Sequence, residues 1–147
     1  VSGEDDFDED DELEMFVEAQ DTVWPDVLRE LTLGQKTSHW MWFVFPQLAE
    51  LGRSHMAQLY GIGDLEEAAA YLAHPELRRR LVEVSRLMLG HVGKRPEDIL
   101  GGIDAKKLRS SMTLFAAVPD APEEFRAILE AFYDGSPCPL TQRAMGG

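Results

Sequence analysis

The chain has 147 residues, 44% of them hydrophobic, and a net charge of −13. That length suits one domain with a single buried core, and no apolar run approaches the roughly 20 residues needed to span a bilayer. The acidity argues against general nucleic-acid binding, which needs clustered Lys and Arg against phosphates.

The charge is unevenly placed. Residues 1–14 hold nine acids and no base, whereas residues 78–109 hold nine bases and four acids. The first twelve residues are too acidic to bury and are expected to form a disordered arm, followed by a single helical domain over 13–147. The basic middle segment offers an anion a favourable field, or else forms a solvated helix face. The start has no basic region followed by an apolar stretch, so no secretory signal is expected. One cysteine, Cys138, lies between Pro137 and Pro139. It cannot form an internal disulfide, no Cys/His set has zinc spacing, and a reducing cytoplasm is the expected location. Cys138 reads as a loop residue.

Leu13, Phe16, Val17 and Gln20 open the chain's helical periodicity. Pro25 suits the first turn of a second helix with Val27, Leu28 and Leu31 on its apolar side, and Gly34 is placed to end it. Period alone does not choose between helix and strand for SHWMWFVFPQ, residues 38–47. Its aromatic and β-branched content is compatible with a minor strand pair near 40–45. Ser54 is placed to cap a short helix, and Asp64 with Glu67 forms a capping box for the next. Pro75 opens a long helix whose core stripe is Leu77, Leu81, Val84 and Met88. RPEDILGG suits a single turn. Asp104 reads as the cap of a helix, with Ile103 and Leu108 as a hydrophobic staple. A last long helix starts near Pro122 and stops at Asp134-Gly135. The sum is a mainly α, irregular, orthogonally packed domain of about seven helices.

The motifs GxKxSHWMWFVFPQ, LGRS, EAxAYLxHPxLxxRL and DAKKLRSSMTLF occur in this order. In that combination the chain resembles the bacterial domain of unknown function 1810 family, sometimes labelled calpastatin, from about Phe16 to Phe132. The resemblance implies a compact, mostly helical fold and carries no established activity with it. Calpastatin is a disordered protease inhibitor, whereas the composition and helix caps here are those of a globular domain. The family motif falls on Lys36, Ser38, His39, Trp40, Trp42, Pro46 and Gln47, then on Asp104, Lys107, Leu108, Ser110, Ser111, Thr113 and Phe115.

Many of these residues are polar, which makes them candidates for chemistry. Histidine is the side chain suited to general acid or base work near neutral pH, which makes His39 a candidate; the alternative is a buried histidine bonded to a carbonyl. Lys107 and Ser111 are four apart on one helix face, a spacing at which a lysine can activate a hydroxyl. The alternative is a solvated lysine beside a serine bonded back to its helix. These three are the catalytic candidates. Trp40 and Trp42 are either stacking platforms for a planar ligand or core residues. Lys36, Gln47, Ser110 and Thr113 complete the candidate ligand contacts. No metal or cofactor is expected, and no GxSxG, HExxH, Walker or GxGxxG pattern is present. The favoured reading is a pocket between the SHWMWFVFPQ and DAKKLRSSMTLF motifs that binds or processes a planar anionic small molecule, nucleotide-like in character. The alternative is a non-catalytic protein-interaction module. Whether the chain is an enzyme, and in what oligomeric state it works, stays open at this level.

Overall fold

A computed structural model of the chain describes residues 9–146. Of the disordered arm expected over residues 1–12, residues 1–8 lie outside the described residues, and 9–12 belong to the first helix instead. Among the described residues the chain forms nine α-helices, one 3-10 turn and no strand.

Helix α1, Glu9–Leu33, is one continuous helix where the sequence suggested two. Pro25 lies inside it. Both Pro25 and Asp21 are exposed, so the Asp21 carbonyl that loses its N–H partner is open to hydration. The inner face of α1 buries Leu13, Phe16, Val27 and Leu31. It also buries Gln20, whose amide donates to the Phe43 carbonyl at 2.7 Å and to the Tyr71 hydroxyl at 3.1 Å.

The segment compatible with a strand pair is helical: α2, Met41–Val44, is a single turn with Met41, Phe43 and Val44 buried. Packing on α1 overrides the local β preference, and Pro46 ends the turn. A 3-10 turn at Ala49–Leu51 and α3, His55–Leu59, follow. Ser54 caps α3 by accepting from the Ala57 amide. The turn and the chain after α3 are held together by Ala49 N–H to Ile62 O and Ile62 N–H to Gln47 O, both 2.9 Å. Gly61 allows this approach, since a Cβ there would overlap Ala49.

Asp64 caps α4, Leu65–Ala73, and Glu67 reaches back to the Gly63 amide at 2.9 Å. His74 closes α4 and caps α5, Pro75–Leu89, while its other ring nitrogen meets Glu14 of α1 at 3.0 Å. The expected stripe Leu77, Leu81, Val84 and Met88 is buried. A short helix α6, Pro96–Leu100, leads into α7, Gly102–Ala116.

Helix α7 starts two residues before the expected cap. Gly101, at φ +91°, turns the chain straight into it, so Asp104 lies in the first turn and Ile103 is 74% exposed. The expected Ile103–Leu108 staple is therefore absent. Helix α7 packs against α4, α6, α8 (Glu123–Tyr133) and α9 (Pro139–Ala144). Surrounded in this way, it buries Ser110, Ser111 and Thr113 as well as Leu108, Met112 and Phe115. Asp134, in the left-handed region at φ 55°, and Gly135 end α8 as anticipated. No helix among the described residues is long and apolar enough to cross a membrane.

Candidate functional site

The site is built around an acid that sequence reading passed over. Glu30 is on α1 one turn after Val27 and beside Leu31, so it points inward with them and is 2% exposed. A carboxylate in such a place needs donors. It accepts from the Thr37 amide at 2.9 Å, the Ser38 amide at 3.1 Å, the Ser38 hydroxyl at 2.5 Å and the Trp40 indole N–H at 3.0 Å. Burial pushes its pKa up, but the Ser38 hydroxyl, the two amides and the indole outweigh it and hold the carboxyl at about 2. The loop after α1 is thus wrapped around one anion.

Lys36 extends this framework toward α7. Its ammonium donates to the Ser38 carbonyl at 2.6 Å, pairs with Asp104 at 2.8 Å and lies 4.9 Å over the Trp40 ring. Its side chain is only 6% exposed. The Lys36 backbone amide also donates to the Ile99 carbonyl at 2.8 Å. The other Asp104 oxygen is 3.8 Å from the Lys107 ammonium, which sits 5.5 Å over the Trp42 ring. The His39 ring is 6.5 Å from Trp42, tilted by 32°. The two motifs therefore meet through Lys36, Asp104, Lys107 and Trp42. His39 is exposed there, and Trp42 and Lys107 are half-buried.

The remaining candidates are elsewhere or inside. Trp40 is fully buried, and its rings pack in the core beneath Lys36. Gln47 is half-buried and uses its backbone carbonyl on Ile62. The Ser110 hydroxyl donates to the Cys138 sulfur at 3.4 Å. Thr113 donates to the Arg109 carbonyl and accepts from the Cys138 amide, both at 2.8 Å. The two bonds to Cys138 fasten the start of α9 to α7. Ser111 is sealed in the interior, with no hydrogen-bond partner for its hydroxyl among the described residues. The Lys107 ammonium lies toward Trp42 and, at 3.8 Å, Asp104, and Ser111 has no partner among the described residues, so the two residues are four apart without making a lysine–serine bond.

Cys138 is the loop residue expected, in extended backbone immediately before α9, and it is buried there. Burial raises its thiol pKa, but the Ser110 and Thr141 hydroxyls with the Thr141 and Leu140 amides turn the balance downward. Among the described residues no cluster of three or more His, Cys, Asp or Glu is placed to hold a metal ion.

Fold and site together define a small all-α domain in which an aromatic loop and a hydroxyl-rich helix are locked by buried charges. The sequence matches the family described as "Protein of unknown function (DUF1810)" over residues 10–145, and the chain belongs to that family. It is similar in structure to the conserved hypothetical protein Rv1873 from Mycobacterium tuberculosis. The two share 47% identity and a TM-score of 0.89, over 92% of this chain and 96% of that one. Among curated proteins, none matches the sequence.

Proposed function

We propose that the chain is a binding protein for a planar anionic small molecule, nucleotide-like in character, held at the surface formed by His39, Trp42 and Lys107. The observation that supports this most is the Lys107 ammonium 5.5 Å over the half-buried Trp42 ring, beside an exposed histidine. The local charges favour an anion. Lys36 and Asp104 form a close pair at 2.8 Å, while Lys107 is only loosely held at 3.8 Å. Lys36, Lys106 and Lys107 together stand against Asp104 and the buried Glu30, which leaves one positive charge in excess on the Lys107 side. A planar ring has the exposed His39 imidazole to stack on and the Trp42 indole to meet edge-on, and an anionic group has Lys107 to pair with.

The reading is of binding, not of acyl or phosphoryl transfer. A nucleophile needs a base within hydrogen-bond reach and a path to substrate, and Ser111 has neither partner nor exposure. A thermal-shift titration with adenosine, AMP and ADP-ribose tests the proposal. The phosphate-bearing compounds should stabilise the protein, by about 2.7 kcal/mol at a hundredfold excess over Kd. Adenosine should do less, and Trp42→Ala and Lys107→Ala should each abolish the effect. No stabilisation by any of the three sinks the reading.

A further inference from the structure

We propose that a groove at the opposite end of α1 docks a basic peptide segment that carries a large apolar anchor residue. The groove lies between the start of α1 and the α3–α4 corner and encloses about 510 Å³. Leu13, Phe16 and Ile62 form its floor, and Leu59, 45% exposed, stands on its wall. The space is of the size that takes one or two large side chains or a small ligand. The rim is acidic: Glu12 is exposed, and Glu67 turns one oxygen to the Gly63 amide at 2.9 Å.

Charge complementarity identifies the occupant. The sequence leading into this wall is the most acidic of the chain, with eight acids and no base over residues 4–12. An isolated amine needs one carboxylate. A run of this density suits a polypeptide bearing several Lys or Arg, drawn in by the long-range field and held by an apolar side chain in the groove. The same field repels an acidic partner and gives a neutral one no attraction. The groove shares no residue with the His39–Trp42–Lys107 surface, so either proposal can fail without the other.

Fluorescence anisotropy with a labelled leucine–lysine peptide at helical spacing tests this on the full chain. The peptide should bind, and a version with serine for leucine should bind about tenfold more weakly or worse, the effect expected for losing one buried leucine. A version with glutamate for lysine should not bind. Leu59→Ser and Leu59→Lys should each weaken the leucine–lysine peptide about tenfold with unchanged thermal melting. Leu33→Ser, at an exposed leucine on the far end of α1, should leave binding as it is. Equal binding of the serine version would mean bare charge attraction, and equal binding of the glutamate version would mean an indifferent apolar groove. Indifference to both Leu59 variants, or binding only after removal of residues 1–8, would equally overturn the proposal.

Discussion

The carboxylate of Glu30 and the indole N–H of Trp40 meet across 3.0 Å in the interior, with Glu30 2% exposed and Trp40 fully buried. Glu30→Gln keeps the shape but replaces an acceptor oxygen with an amide that confronts donors. It should destabilise the protein by about 2–4 kcal/mol in urea denaturation. Trp40→Phe removes one donor and keeps a ring, so a smaller loss of about 1–2 kcal/mol is expected. A Glu30→Gln variant as stable as the parent would remove the carboxylate from its central place.

The same cage predicts an acid limb of stability. The folded pKa of Glu30, about 2, lies below its ordinary value of 4.5. Its contribution is therefore fully present above about pH 4.5 and is lost as pH falls toward 2. Glu76, held low by the Arg79 hydrogen bond, and Glu124, where the Arg86 contact overcomes burial, act in the same direction. Urea midpoints measured from pH 6 to pH 2 should fall for the parent chain. The parent's lead over Glu30→Gln should shrink across that window, and a constant difference would contradict the assignment.

Lys36 and Asp104 fasten the aromatic loop to α7 at 2.8 Å. Lys36→Met leaves Asp104 with only the distant Lys107, and Asp104→Asn leaves a 6%-exposed ammonium without its anion. Each should cost about 2–3 kcal/mol, and the double variant should cost less than the sum by about 1–3 kcal/mol. Strict additivity in that cycle would show that the pair does not act as one unit.

Ser111 and Ser110 should behave oppositely. The Ser111 hydroxyl is buried without a partner, so Ser111→Ala should be neutral or stabilising by up to about 1 kcal/mol. Ser110→Ala removes the contact to Cys138 and should be mildly destabilising. Thermal melts of the two variants decide this. A Ser111→Ala protein that folds normally but loses ligand binding would return Ser111 to the functional surface.

Local signals carried the helix boundaries. The Ser54 and Asp64 caps, Pro75 at the start of α5 and the Asp134-Gly135 stop all fall where residue chemistry predicts, because each depends on groups within a few residues. The start of α7 differs for a local reason, the Gly101 turn, whereas the other differences lie where a distant partner mattered. Helix α1 runs through Pro25 because packing on α5 and α2 holds it, and Met41–Val44 coils because it packs on α1. A visible clue to Glu30 was its position, an acid spaced with the buried Val27 and Leu31 ahead of a Ser-His-Trp run.

The all-α class, the family and most helix ends were written in the order of residues, since periodicity and capping are short-range properties. Which polar motif residues face water was decided only by the assembled helices. Enclosed by α4, α6, α8 and α9, helix α7 has little outer face on which Ser110, Ser111 and Thr113 could appear. Exposure belongs to what surrounds a side chain, and no local pattern encodes it.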